Sequence, residues 1–314
     1  MLSKTCALDL VRTDGSVRRL LHSPDATISR FLVLLLFASS FSGIYAANSG
    51  LPSPPTLKST TVEAFDRYVK LTEARSDSEL EKRGPFFWID GLPEVERAAA
   101  YAALKSGEVK IHKQEIRDKD QRIDCPGGLI HHWAGLVFIP GAKLDDVLAI
   151  LQDYDHHSIY YAPDVERSRI ESRDGDHFRV FLRFRRHKVI TVVLNSEHDV
   201  RYFRDSPTQA HSRSSAIRIA EVENPGKPNE REKPPGQDDG FLWRMETWWH
   251  MEERDSGVYV QSEVVSLTRD IPAGLGWLIG PFVTSIPKES LTFTLEATRK
   301  AVLGKAKSVA ANQP

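Results

Sequence analysis

Apolar and polar positions alternate along much of the second half of the chain, with helical spacing before and after that stretch. Residues 129–139 (LIHHWAGLVFI) form an aromatic and β-branched run closed by Pro140 and Gly141, the pattern of a strand. In residues 143–154, Leu144, Val147, Leu148 and Leu151 make one stripe and Asp145, Asp146 and Gln152 the other, which predicts an amphipathic helix. Long strands follow in close succession. Residues 165–172 and 177–186 meet at Asp174-Gly175, a hairpin turn pair. Strands are next expected over 189–203 and 208–222, then 241–254 and 258–269, the last two joined across Asp255-Ser256-Gly257. The polar, Pro/Gly-rich stretch 223–240 predicts a mobile loop. Residues 274–281 (GLGWLIGP) predict a bend, and Pro287 suits the first position of a closing helix whose apolar side is Leu291, Leu295 and Val302.

Upstream, residues 51–55 (LPSPP) read as a linker. Val62, Phe65, Val69 and Leu71 then recur at near-helical spacing until the pattern fades around Ser76 and Ser78. Residues 94–105 are Ala-rich and helical, stopped by Ser106 and Gly107, and 108–116 alternate as a short strand. The segment 48–126 is therefore a linker with a mainly helical accessory segment, 127–304 the principal domain, and 305–314 a tail. Residues 31–37 (FLVLLLF) follow Arg18, Arg19 and Arg30 and precede small residues up to Ala46 and Ala47. Residues 1–47 thus read as a signal peptide or, if uncut, a membrane anchor behind an N-terminal extension. Either form places the domain outside the cytoplasm, periplasmic, secreted or anchored.

One strand, one helix, a run of antiparallel strands and a long final helix describe an α+β layer structure. That order, with ILQDYDHHSIYYAPDVERSRI (150–170), VVLNSEHDVRY (192–202) and SLTRDIPAGLGWLIGPFVTSIPKESL (266–291), resembles the START-like (SRPBCC, helix-grip) superfamily over residues 127–303. That superfamily includes polyketide cyclases, coenzyme-Q-binding proteins and plant allergens. The resemblance implies a curved seven-stranded antiparallel sheet wrapped around a long C-terminal helix, with a cavity between them for a lipid, quinone, polyketide or terpenoid. The same scaffold carries binders, transfer proteins and enzymes, so it does not choose among them.

Composition narrows the choice. Of 314 residues, 40% are hydrophobic and the net charge is −1, which fits neither the basic footprint of a nucleic-acid binder nor a disordered chain. Cys6 lies in the export segment, leaving Cys125 without a disulfide partner or metal-ligand spacing. No nucleophile elbow, phosphate loop, zincin helix or dinucleotide fingerprint is present.

Strand alternation supplies the candidate site. Phe178, Val180, Leu182 and Phe184 share one face, with Arg179, Arg183 and Arg185 on the other. Phe241, Trp243, Met245, Thr247, Trp249 and Met251 share a second. The expected cavity lining is Tyr161, Phe178, Val180, Leu182, Phe184, Trp243, Met245, Trp249 and Phe282, with Trp277 and Leu278 as a gate or membrane contact. For each, plain core packing is the alternative.

Among polar residues, adjacent His156 and His157 suit a helix end better than a metal, and His131 and His132 face opposite sides of a strand. Asn195 and Glu197 share a face opposite His198, while Glu246 and Glu263 are expected to pair across the sheet with Arg218 or Arg244. The expected function is noncatalytic binding or transfer of a hydrophobic small molecule, with a membrane surface as a second candidate partner. No catalytic residue, metal, cofactor or nucleic acid is assigned. The rivals are a cyclase- or hydrolase-type enzyme, using an acid/base set drawn from Glu246, Glu263, His198 or Tyr161, and a protein-interaction module with a filled core.

Overall fold

Antiparallel pairing accounts for most of the chain between residues 110 and 269. The computed structural model describes residues 57–81, 84–187, 190–270 and 276–311, excluding the side chains of 276–284 and 306–311. The described residues all fall within one compact unit. The expected signal or anchor, with Cys6, lies outside the described residues. Among those described, no helix is long and apolar enough to cross a membrane.

In chain order the elements are α1 (Ser59–Glu81), α2 (Glu94–Lys105), β1 (Lys110–Lys113), β2 (Arg117–Asp118), β3 (Gln121–Arg122), β4 (Gly128–Pro140), α3 (Leu144–Leu151) and α4 (His157–Tyr160). They continue through β5 (Val165–Asp174), β6 (His177–His187), β7 (Thr191–Arg204), β8 (Gln209–Glu223), β9 (Arg231–Glu232), β10 (Arg244–Arg254), β11 (Gly257–Arg269) and α5 (Gly276–Ala311). One antiparallel sheet runs in the order β1-β4-β11-β10-β8-β7-β6-β5, with β9 paired to β8. The seven strands expected from residue 127 onward are its long members. Short β1 and β9 raise the count to nine.

The α+β helix-grip architecture is present, with three local departures from the sequence pattern. The stretch 276–281 is helical rather than bent, so Gly280, Pro281 and Pro287 all lie inside α5. The stretch 223–240 is tied down rather than loose. Within it β9 pairs with Val222 and Glu223, Glu230 bonds Arg183 at 2.9 Å, and Glu232 bonds Asn195 at 2.8 Å. Helix α1 also continues through Ser76 to Glu81, because Thr72 and Ser76 are buried rather than marking an end.

The sheet buries both faces of its β4-β11-β10 half. On one face, Leu291 and Leu295 of α5 meet β4 at Gly135, where any side chain would collide with them. Val302 of α5 joins Val137, Ile139, Val258, Val260 and Met251, and α3 closes that end with Val147, Ile150 and Leu151. On the opposite face, Phe65 and Tyr68 of α1 cover Trp248, Val265 and Leu267, while Leu104 and Ala100 of α2 pack with Phe87, Leu136, Phe138 and Tyr259. The accessory helices thus form a third layer over the back of the sheet.

That third layer carries a buried polar chain. Glu263 accepts hydrogen bonds from Arg75 of α1 and from Nε2 of His132, the latter at 2.6 Å. The Tyr68 hydroxyl bonds Nδ1 of His132 and accepts from the Ile116 amide, both at 2.9 Å. Burial opposes the Glu263 charge, but these hydrogen bonds and the Arg75 guanidinium hold its carboxyl well below the usual range. His132 is kept neutral by burial. Neither Glu263 nor Glu246 pairs with Arg218 or Arg244 as expected. Glu246 bonds the Ser215 hydroxyl at 2.5 Å, and Arg218 takes Glu197 and Glu232 instead.

Candidate functional site

Register places the residues facing α5 in rows across the sheet. The Gly135 row continues through Ser262, Trp249, Ser212 and Tyr202. The next row is Trp133, Val264, Thr247, Ser214, Val200 and Phe178. Beyond it, Ser266 pairs with Met245, and Ala216, His198, Val180 and Ile170 lie side by side. Strand alternation keeps each row on the face that Gly135 presents to α5.

Burial is uneven across this face, with Val180, His198, Ala216 and Ser266 of the last row buried. Toward α3, Phe178, Val180, Val200, Tyr202 and Met251 are all buried, with the Tyr154 and Tyr202 hydroxyls 2.8 Å apart. Away from α3, Trp133, Trp249, Val264, Thr247, Met245, Ser214, Leu182 and Phe184 are only half-buried, although they face the helix. Their back-face neighbours Trp248 (2% exposed), Val265 and Leu267 (both 0%) are dry under α1. At these positions the sheet is sealed on its back, whereas the side facing α5 keeps solvent access.

Polar groups on this inner face are neutral. His198 is 3% exposed; its Nε2 bonds the Ser196 hydroxyl at 2.8 Å, and Nδ1 has no hydrogen-bond partner among the described residues. Burial pushes its pKa down to about 4. His131 bonds Thr268 at 3.0 Å and is pushed down to about 4 by burial, with Lys113 adding to the effect. The Ser212 hydroxyl is buried and unpartnered. Tyr161 bonds Thr298 of α5 at 3.0 Å and packs with Val165, Ala297, Leu182, Phe184 and Phe293.

The expected lining divides accordingly. Leu182, Phe184, Met245 and Trp249 lie among the half-buried residues of the inner face. Phe178 and Val180 are on the same face but sealed in the core, and Tyr161 is buried at its edge (0%, 1% and 6% exposed). Trp243 does not join them. Lying just ahead of β10, it turns to the back face, packs with Phe65 and Trp248, and donates its indole N–H to Asp238 at 2.6 Å. The side chains of Phe282 and of the expected gate, Trp277 and Leu278, lie outside the described residues. The inner-face hydroxyls Ser212 and Ser214 and the aromatic Trp133 are missing from the expected lining, while Thr247 lies on the face that alternation assigned to it. Alternation along β8 (Ala210, Ser212, Ser214, Ala216) was the available signal.

The candidate acid/base groups divide between the two faces of the sheet. His198 and Tyr161 face α5, whereas Glu246 and Glu263 lie on the back of the sheet beneath α1. His156 bonds Asp153 on the surface at 2.7 Å, and His157 is a buried neighbour of Tyr154. Among the described residues, no group of three His, Cys, Asp or Glu is placed to hold a metal. Two clefts flank the grip, one of about 300 Å³ beside Leu148, Tyr202 and Arg204, the other of about 200 Å³ beside Pro163, Arg186 and Glu289. Neither is lined by Trp249, Met245 or His198.

No protein-family model matches the chain, and no curated protein matches it by sequence. Solved structures similar to it include a STAR-related lipid transfer protein from Xanthomonas axonopodis (19% identity, 62% of this chain and 93% of that one, TM-score 0.42). Others are the Zhui aromatase/cyclase from a Streptomyces species (16%, 57% and 94%, 0.35) and a START superfamily protein from Mycobacterium smegmatis (13%, 58% and 98%, 0.33).

Proposed function

We propose that the protein binds or carries a hydrophobic small molecule in the hollow between the inner face of the sheet and α5, and does so as an exported protein. The observation that supports it most is the contrast across one sheet. Trp249 and Val264 remain half-buried where they face the helix, while Trp248 and Val265, one residue away, are sealed. An apolar surface left partly wet inside a fold gains roughly 25 cal/mol per Å² when a ligand covers it. The proposed export rests on the apolar run 31–37 behind Arg30.

The reading is tested by titrating the protein with Nile red, a neutral apolar dye. Saturable binding of one dye per chain is expected. Ser214→Trp, which fills the hollow, should abolish it with cooperative unfolding retained, while Arg201→Trp on the exposed surface should leave it intact. Equal binding by all three proteins would place the dye elsewhere and defeat the proposal.

A further inference from the structure

Charge on the inner face is confined to its ends and to the outermost strands of the sheet. Glu253 sits at the α3 end, fixed by Lys143 and the Leu144 amide at 2.9 and 2.8 Å. At the opposite rim Arg186 pairs with Asp164, and Glu221 is held by Lys233 and the amides of Asp239 and Phe241. Between these ends, the inner-face rows carry charge only on the two outermost strands, at exposed Lys113 of β1 beside Trp133 and exposed Arg173 of β5 beside Phe178, and none on the strands between. Hydroxyls and imidazoles take its place: Ser212 is buried without a partner, His198 leaves Nδ1 free, and Ser214 and Thr247 stand beside each other on paired strands.

Such a surface selects by charge. A carboxylate or phosphate drawn into the hollow would lose its hydration without meeting a cation, which is strongly unfavourable. A hydroxyl or carbonyl oxygen loses less hydration and can hydrogen-bond the unpartnered serine or imidazole. We propose that the ligand of this hollow is an uncharged molecule, apolar over most of its surface and bearing hydroxyl or carbonyl oxygens, and that fatty acids and other anionic lipids are excluded. This inference rests on the carrier reading above and narrows it to a chemical class.

The test is displacement of Nile red from the unaltered protein at pH 7.5 by three molecules of equal chain length: 1-decanol, decanoate and decane. The alcohol is expected to displace the dye at a concentration lower by about tenfold or more than either of the others. Ser212→Ala, a small truncation, should narrow the gap between decanol and decane, each displacement being referred to that variant's own affinity for the dye. Decanoate matching or surpassing decanol would overturn the inference, and so would decane matching it or decanol failing to displace bound dye; the carrier reading would survive each. A protein that never binds the dye fails the carrier reading itself, so the two failures are distinguishable.

Discussion

At Gly135 the absence of a side chain sets the distance between helix and sheet. A Cβ there would lie 2.5 Å from Leu295 Cδ1 and 2.7 Å from Ile111 Cδ1. Gly135→Ala should therefore cost about 1–3 kcal/mol in urea unfolding, and a neutral result would mean that α5 is not clamped at this point. Glu246 gives a residue-level prediction of a different kind. Burial, with the nearby Glu73 and Asp66 carboxylates adding to it, pushes its pKa up to about 7 from an ordinary 4.5. Between those values the unfolded chain releases a proton that the folded protein keeps, so stability falls as pH rises and levels off above 7. The loss from this group is on the order of 2–3 kcal/mol. Glu246→Gln should flatten that slope between pH 5 and 8, whereas parallel pH profiles for the two proteins would contradict the burial of a protonated acid. Neither effect was legible in the sequence. Gly135 stands in an ordinary strand pattern, and the environment of Glu246 depends on α1, more than 160 positions upstream.

At the scale of elements, the strands and α3 were readable because each carries its own period and its own turn residues. Asp174-Gly175 marks one hairpin, and Gly257 ends the turn of another. The docking of α1 and α2 was not readable, since an amphipathic stripe shows that a helix is covered but not by what. Trp243 shows the same limit within one strand: alternation assigns it to the face of Trp249, but β10 begins only at Arg244. The structure makes α1 part of the core, because Phe65 is 1% exposed against Trp248 and Val265. Phe65→Ala is accordingly expected to cost about 3–5 kcal/mol of unfolding free energy. A loss below about 1 kcal/mol would show instead that the segment only leans on the domain.

For the molecule as a whole, the layers divide the labour. The back of the sheet is dry and pinned by Arg75, Glu263, His132 and Tyr68, while the front is held by α5 at Gly135 and opens toward Trp249 and Met245. A rigid back and a partly wet front suit enclosure of a ligand, with desolvation as the driving term. The most direct measurement is native mass spectrometry of the purified domain, followed by organic extraction of whatever it holds. The account predicts an uncharged, oxygen-bearing apolar molecule at about one per chain, lost when Ser214→Trp fills the hollow. A chain that emerges with the mass of its sequence alone, from every source able to supply such molecules, would contradict the claim that this face is a binding site.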